Sequence, residues 1–202
     1  MDNNNITLVI ARYKEDIAWA QDLPYAKVVY DKSGEALDDH VSRPNIGREA
    51  ETWLYHIVQN YDSLSAITVL LQGHPFDHGP QKDIQSVSEH IKAHMHTNTL
   101  VGIGIDMHEP WNSYGLPIFQ KYRDLFSCEP PSYVRFTAGA MYIVPRDLIR
   151  SRPLEFYKKL HAMVLESTAI EYFQVVESPS NIDPWTLERL WPYIWDPNTP
   201  LR

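Results

Sequence analysis

The sequence contains a single cysteine, Cys128, among its 202 residues. No disulfide can form within it, so its folding requires no oxidising compartment, and we expect a cytoplasmic protein. Basic residues are also few, because 18 Lys and Arg stand against 26 Asp and Glu, for a formal net charge of -8. Proteins bind nucleic acid through basic side chains that neutralise phosphates. The charge balance therefore argues against a nucleic-acid partner.

Long hydrophobic runs and several well-known catalytic motifs are also missing. The first apolar run, residues 6–11, gives way to charges at Arg12, so we expect neither a signal peptide nor a membrane span. The sequence has no G-x-G-x-x-G, no G-x-x-x-x-G-K-[ST] and no G-x-S-x-G. Dinucleotide enzymes, P-loop NTPases and hydrolases with a nucleophile elbow are therefore disfavoured. A hydrophobic content of 44% supports one core, and we predict a single domain over residues 1–202.

The apolar pattern predicts an α/β fold with a mixed, mostly parallel central sheet flanked by helices. Runs rich in β-branched residues predict strands at residues 6–11, 26–30, 66–71, 100–105 and 135–144. Apolar residues at helical spacing predict helices at about 47–61, from Ile84 to Met95, at 153–165, and at 184–195 with an interruption near Pro192. Residues 106–133 are rich in Pro, Trp and Tyr and predict little regular structure.

Polar loops follow three of the predicted strands, at residues 12–16, 72–79 and 106–109. If these strands are parallel neighbours, the three loops converge on one edge of the sheet and form a cleft. The helix at about 47–61 begins near Arg48, where backbone N–H groups and the guanidinium could hold a phosphate. An alternative is that Asn45 caps this helix and Arg48 pairs with a neighbouring acid.

The loop at residues 72–79 contains His74, Asp77 and His78. Imidazole and carboxylate groups together could bind a divalent cation. The alternative is that Asp77 caps a turn and that both histidines are simply exposed.

Five segments of the sequence together resemble a family of uncharacterised glycosyltransferase-like proteins of bacteria, fungi and large DNA viruses. In order, they are VIARYKEDIAWA, RPNIGREAETWLYHIVQNYDSL, ITVLLQGHPFDH, RFTAGAMYIVPRDLI and LERLWPYIW. The family resembles the GT-A clan, and a similar domain serves in glycan assembly by algal viruses. The resemblance implies a GT-A-like nucleotide-sandwich fold. It also implies an inverting transfer of a hexose from a nucleoside-diphosphate sugar, expected to be UDP-linked, to a glycan hydroxyl, assisted by Mn²⁺ or Mg²⁺.

The resemblance also assigns roles to particular residues. Those that would bind the nucleotide are Ala11, Arg12, Tyr13, Glu15, Asn45, Gly47, Arg48, Gln72 and Gly73. Arg48 would in addition neutralise the diphosphate. Asp77 and His78 would bind the metal, although the D-x-D pair of the clan is absent and Asp77 is the only acid of its loop.

Two small residues and one carboxylate complete the implied site. Ala138 and Gly139 would let the strand backbone approach a sugar, although ordinary tight packing explains small residues equally well. Glu188 would act as the catalytic base, and its alternative role is a surface glutamate paired with Arg189. Two other functions stay open at this point: a metal-dependent hydrolase of phosphoesters or nucleotide sugars, and a non-catalytic nucleotide-sugar-binding module.

Overall fold

A computed structural model describes residues 5–35, 37–167 and 180–202, which form an α/β fold with a six-stranded and a two-stranded sheet. The strands are β1 (Ile6–Arg12), β2 (Ala26–Asp31), β3 (His40–Ser42), β4 (Ile67–Gln72), β5 (Val101–Gly102), β6 (Asp106–Glu109), β7 (Val134–Thr137) and β8 (Tyr142–Pro145). The helices are α1 (Arg48–Asn60), α2 (Ile84–His94), α3 (Ile118–Leu125), α4 (Arg146–Arg150), α5 (Leu154–Leu165) and α6 (Pro184–Ile194). The single domain predicted over residues 1–202 includes residues outside the described ranges and stays a prediction.

The large sheet has the strand order β3-β2-β1-β4-β8-β5. Its first four strands are parallel, whereas β8 is antiparallel to both β4 and β5. The small sheet pairs β6 with β7 in antiparallel register. The predicted mixed, mostly parallel central sheet is confirmed.

The central strands β1 and β4 are buried on both faces, which explains their nearly continuous apolar sequences. Val9 and Leu70 belong to a core that α1, α5 and α6 share. Leu8, Ile10 and Val69 belong to a second core on the opposite face, which α2 completes. Because side chains alternate along a strand, one apolar run contributes to both cores, and helices cover both faces of the sheet.

Helix α1 is the element that connects the sheet to its neighbouring helices. Its apolar residues Ala50, Trp53, Leu54 and Ile57 are fully buried, as their spacing predicts. The helix packs against α5 and α6, so its first turn is fixed beside the carboxyl ends of the strands. No helix within the described ranges is long and apolar enough to cross a membrane.

The predicted strand at residues 135–144 is wrong. The chain forms β7 in the small sheet, turns at Gly139 and Ala140, and continues as β8 in the large sheet. Both turn residues have positive φ values, 84° for Gly139 and 53° for Ala140. Left-handed backbone cannot continue a strand, so these two residues direct the chain from one sheet to the other.

Three further predictions need correction. Residues 106–133 are not irregular throughout, since they contain β6 and α3, whereas the strand expected at 100–105 has only two residues. The last helix is not interrupted at Pro192 but continues to Ile194. Pro192 lies in the final turn, and the N–H of Trp195 still donates to the carbonyl of Trp191 at 3.1 Å, so the ring removes one hydrogen bond without ending the helix.

Candidate functional site

The carboxyl ends of β1 and β4 lie side by side, with Ala11 in register with Gln72. From this pair, β2 and β3 extend the sheet in one direction and β8 and β5 extend it in the other. In open α/β sheets, ligands bind in the crevice outside the strand ends at such a switch point. The loops that follow β1 and β4 therefore border the candidate functional site.

A cavity of about 380 Å³ occupies this crevice, and we call it the first cavity. It is lined by the ends of β1 and β4, the loops after them and the start of α1, through Ala11, Arg12, Tyr13, Glu15, Lys32, Asn45, Arg48, Glu49, Gln72, His74, Asp77 and His78. Two larger cavities lie elsewhere. One of about 410 Å³ is at the amino ends of β1 and β4, and one of about 580 Å³ is beside β6 and β7.

A second cavity, of about 270 Å³, adjoins the first. Its walls come from α1, β6, α6 and the turn between β7 and β8, through Arg48, Glu49, Gln72, His78, Met107, Glu109, Tyr114, Phe136, Ala138, Gly139, Trp185, Glu188 and Arg189. Four residues line both cavities: Arg48, Glu49, Gln72 and His78. A molecule that fills both would therefore pass between these four side chains.

The loop after β1 is held by its own charged side chains. Arg12 contacts the carboxylate of Asp31 through Nη1, lies 3.4 Å from Glu35 Oε2 and donates through Nε to the carbonyl of Glu15 at 3.0 Å. The carboxylate of Glu15 accepts the N–H of Tyr13 at 2.6 Å. Arg12 thus links the ends of β1 and β2, and its charge is already balanced by two acids. The ring of Tyr13 is 45% exposed beside the cavity.

Lys32 fixes the loop before α1. Its ammonium donates to the carbonyls of Pro44 at 3.2 Å and Ile46 at 2.9 Å, and to Glu51 Oε2 at 2.6 Å. Asn45 lies between the two bound carbonyls and lines the first cavity. Burial lowers the pKa of Lys32, while the carboxylate of Glu51 opposes that change. This contact holds the loop and the helix start in one arrangement.

Glu51 is the centre of a buried cluster of charges behind the first cavity. Besides Lys32, its carboxylate accepts hydrogen bonds from Arg43 Nε at 3.1 Å and from His161 Nε2 at 3.0 Å. Burial alone would raise the pKa of Glu51, but these hydrogen bonds and the charge of Lys32 lower it to about 2. The cluster connects α1 to α5 and to the loop after β3.

Gly47 shapes the site without lining it. It is the N-cap of α1 with φ of 66°, and a Cβ there would lie 2.2 Å from Val164 Cγ1. The N-cap is therefore Gly47 and not Asn45, which corrects one half of that alternative, whereas the acid expected beside Arg48 is present as Glu49. Arg48 follows with φ of 50°. Because these two successive residues have left-handed backbone, the chain turns here, and the first turn of α1 lies beside the cavities.

Arg48 extends its guanidinium into the region where the two cavities meet. The side chain is 57% exposed, its Nε lies 3.8 Å from Glu49 Oε2, and its Cζ lies 5.2 Å from the centre of the Trp185 ring. At 3.8 Å the contact with Glu49 is longer than a hydrogen bond, so the donors of the guanidinium remain accessible to an anion.

The turn between β7 and β8 is held from two sides at Gly139. The N–H of Gly139 donates to Glu188 Oε1 at 2.8 Å, and its carbonyl accepts a hydrogen bond from Gln72 Nε2 at 2.9 Å. A Cβ at Gly139 would lie 2.7 Å from His78 Cδ2, so the imidazole covers the glycine directly. Ala138 and Gly139 do line the second cavity, and the close neighbour of Gly139 is the ring of His78.

Glu188 lies on the cavity wall and is also paired with its neighbour. Its Oε2 is 3.1 Å from Arg189 Nη1, and Arg189 Nε donates to Glu109 Oε2 at 3.0 Å. The alternative pairing with Arg189 is therefore present, and the role of Glu188 as a base stays a prediction. Glu109, one of the polar residues at 106–109, reaches the second cavity, whereas Asp106 borders the 580 Å³ cavity.

The side chain of Glu49 is buried between the two cavities, with 11% of its surface exposed. Burial raises the pKa of Glu49 to about 7; the charge of Arg48 opposes this rise, and the nearby charge of Glu188 adds to it. A carboxyl group of this kind exchanges its proton near neutral pH. The sequence analysis did not single out Glu49, although it directly follows Arg48 in the segment that opens α1.

The predicted metal ligands lie at the rim of the first cavity. His74 Nε2 is 3.3 Å from Asp77 Oδ1, and the two side chains are 52% and 66% exposed. Within residues 5–35, 37–167 and 180–202, no group of three or more His, Cys, Asp or Glu is arranged to hold a metal ion. Asp77 is thus an exposed carboxylate beside the imidazole of His74, and Mn²⁺ or Mg²⁺ binding there stays a prediction.

The structure brings most of the predicted site residues together. The first cavity contains Ala11, Arg12, Tyr13, Glu15, Asn45, Arg48, Gln72, Asp77 and His78, and the second contains Ala138, Gly139 and Glu188. Gly47 and Gly73 lie behind the walls, and a Cβ at Gly73 would be 2.7 Å from Glu15 Oε2. The sequence analysis missed Lys32 and Glu49, and no local pattern distinguishes either from an exposed charge.

Part of the chain matches the model of a protein family. Residues 8–104 are similar to the family DUF3431, which is described as a protein of unknown function. The matched stretch includes all residues that line the first cavity, whereas the part of the second cavity formed by β6, β7 and α6 lies beyond it. No curated protein and no solved structure matches the chain.

Proposed function

We propose that the chain is a glycosyltransferase with a GT-A-like fold, which binds a nucleoside-diphosphate sugar in the first cavity and a glycan acceptor in the second. The observation that carries this proposal is the meeting of the two cavities at Arg48, Glu49, Gln72 and His78. Transfer between two substrates requires adjacent binding sites with reactive groups at their junction. The position of the junction at the switch point of the sheet supports the proposal.

Several features of the first cavity suit a nucleoside diphosphate. The first turn of α1 directs backbone N–H groups at this region, and Arg48 adds an accessible guanidinium. The exposed ring of Tyr13 at the other side of the cavity offers a flat surface for the base. The diphosphate would then lie against Arg48, with the sugar directed at the second cavity.

The second cavity combines features that suit a sugar acceptor. Tyr114 and Trp185 provide ring faces on which the apolar side of a sugar can lie. Glu188 and Glu109 add carboxylates that can accept hydrogen bonds from hydroxyl groups. This combination of flat apolar surface and acceptor oxygens favours a polyhydroxylated substrate.

The residues present do not fit a Mn²⁺ or Mg²⁺ ion held by the protein alone. These cations prefer several oxygen ligands, and the loop after β4 offers the single carboxylate of Asp77, which is exposed and 3.3 Å from His74. A cation there would take most of its ligands from the diphosphate and from water. Arg48 and the start of α1 are therefore the groups of this chain that we assign to the charge of the leaving diphosphate.

A thermal-shift experiment tests the proposal. UDP, GDP, ADP and CDP are each added with and without Mn²⁺, and a ligand of the native state raises the melting temperature by an amount that grows with the logarithm of its concentration over its dissociation constant. We expect UDP to raise it in the wild type and less so in Arg48→Gln. Arg123→Gln, which removes an exposed arginine of α3 outside both cavities, is the matched control. The proposal is contradicted if none of the four nucleotides has an effect.

A second assay separates transfer from the two other functions. UDP release is followed from UDP-glucose, UDP-galactose and UDP-N-acetylglucosamine, with and without a pool of oligosaccharides. Glycosyl transfer requires the oligosaccharides for rapid release. Release at the same rate without them indicates a hydrolase, and binding without any release indicates a non-catalytic module.

A further inference from the structure

Glu49 is the acidic side chain that borders both cavities from the first turn of α1. Its side chain is 11% exposed and shares the junction with Arg48, Gln72 and His78. In the proposed function, the bond that breaks lies between the sugar and the diphosphate, so the reacting atoms would occupy this junction. Glu49 thus lies where an acceptor hydroxyl would meet the donor sugar.

Charged groups on several elements surround Glu49. Arg48 precedes it on α1, Lys32 lies behind it after β2, and Glu188 faces it from α6, and all three charges act on the carboxyl group. Other ionisable groups on the walls of the second cavity are His78 after β4, Glu109 on β6, Tyr114, and Arg189 on α6, and those on the walls of the first cavity include Glu15 and Asp77. Burial raises the pKa of Glu49 to about 7, so that both protonation states are populated at neutral pH.

Unlike Glu49, Glu188 has a carboxylate whose two oxygens both accept hydrogen bonds from the protein. One of its oxygens accepts the N–H of Gly139 at 2.8 Å, and the other accepts a hydrogen bond from Arg189 at 3.1 Å. Removing a proton from a hydroxyl would require one of these oxygens to leave its partner. The contacts of Glu188 therefore suit a group that holds the β7–β8 turn and keeps negative charge beside Glu49.

We propose that Glu49 is the general base of the transfer and that Glu188 is a positioning residue; this inference rests on the proposed function. The acceptor oxygen forms a bond to the anomeric carbon of the donor sugar while its proton passes to the carboxylate of Glu49. The bond from that carbon to the diphosphate breaks, and its electron pair leaves with the diphosphate beside Arg48. The products are the glycosylated acceptor, the nucleoside diphosphate and protonated Glu49.

The pH dependence of kcat tests the assignment. UDP release is measured from UDP-glucose, UDP-galactose and UDP-N-acetylglucosamine with the oligosaccharide pool, for the wild type, Glu49→Gln, Glu49→Asp and Glu188→Gln. We expect the wild-type kcat to rise with pH around 7. Glu49→Gln should lower it by about 10²- to 10⁴-fold while KM for the donor changes little, and Glu49→Asp should recover part of the loss.

Glu188→Gln distinguishes the two carboxylates. Because its negative charge raises the pKa of Glu49, its removal should move the midpoint of the pH profile to lower pH while turnover remains measurable. Glu155→Gln, an exposed change on α5, is the control for both variants. Melting temperatures and UDP binding of each variant are measured alongside, so that loss of fold or of donor binding is recognised.

Each outcome decides one claim. The assignment of Glu49 is overturned if Glu49→Gln keeps full turnover and the pH profile of the wild type. It is also overturned if Glu188→Gln loses all turnover while UDP binding stays intact. Either result leaves the proposed function standing. UDP binding by the wild type without turnover on any of the three donors also overturns the assignment of Glu49. If no nucleotide binds the wild type, the proposed function fails, and this inference fails with it.

Discussion

The carboxylate of Glu188 accepts the backbone N–H of Gly139 at 2.8 Å, which joins α6 to the turn between β7 and β8. The carbonyl of the same glycine accepts a hydrogen bond from Gln72 at the end of β4. Gly139 therefore connects the large sheet, the small sheet and α6 at the wall of the second cavity. The shape of this wall therefore depends on the Glu188 side chain.

Glu188→Ala should destabilise the fold by about 1–3 kcal/mol, because it leaves a buried N–H without its acceptor. Glu188→Gln should cost less, since an amide oxygen can still accept the N–H of Gly139. The free energies of unfolding in urea measure both changes. Equal stability of the alanine variant and the wild type would show that this contact does not hold the turn.

Gly47→Ala should destabilise the fold more than Gly34→Ala. Both glycines have positive φ, 66° and 79°, so both variants carry the strain of a left-handed residue, about 1 kcal/mol. At Gly34 a Cβ meets no atom within 4 Å, whereas at Gly47 it would lie 2.2 Å from Val164 Cγ1. Chemical denaturation should show an additional loss of at least about 1 kcal/mol for Gly47→Ala. Equal losses would mean that Val164 moves aside freely.

Glu49→Gln should change how stability depends on pH. The pKa of Glu49 is raised from 4.5 to about 7 in the folded state, so the folded protein keeps this proton over a range in which the unfolded chain loses it. The resulting stabilisation is complete below about pH 4.5 and is lost as the pH rises to 7. The free energy of unfolding falls over this range by on the order of 3 kcal/mol, since each pKa unit corresponds to about 1.4 kcal/mol. The variant should therefore gain stability relative to the wild type between pH 5 and pH 8.

Urea unfolding of both proteins at pH 5, 6, 7 and 8 measures this difference. A difference that stays constant over the four pH values would contradict the raised pKa.

Glu51→Gln should destabilise the fold by about 3–5 kcal/mol, because it leaves the buried ammonium of Lys32 without its carboxylate. Glu155→Gln breaks an ion pair of equal length, 2.6 Å, that is exposed on α5. That control should cost less than about 1 kcal/mol. Thermal unfolding measures the loss of stability in both variants. Comparable losses would show that burial of the Glu51 cluster adds nothing to the stability of the fold.

Much of the fold could be predicted from local sequence. β1, β4 and α1 were predicted within one or two residues, because strands buried on both faces and an amphipathic helix leave clear apolar periods. The break at Gly139 and Ala140 could not be predicted in this way. Most of the surrounding residues 135–144 are apolar, and only the pairing of each half with a different sheet requires the turn.

Part of the candidate site could be predicted from the order of strands and loops along the sequence. Loops after parallel strands converge by topology, so Arg12, Gln72 and Asp77 were expected at one edge of the sheet. Lys32 and Glu49 are typical surface residues in sequence, and it is packing by distant segments that buries them. Their altered pKa values follow from that burial and could not be predicted from their neighbours in the chain.

Equilibrium dialysis of labelled UDP, GDP, ADP and CDP against the wild type and Arg48→Gln tests most directly whether the crevice at the carboxyl ends of β1 and β4 is a nucleotide site. The account predicts saturable binding of UDP by the wild type. It also predicts affinity at least about tenfold lower in Arg48→Gln, because a charge-assisted contact to the diphosphate contributes about 1.5–3 kcal/mol. Absence of saturable binding for all four nucleotides, or equal affinities in the two proteins, would contradict it.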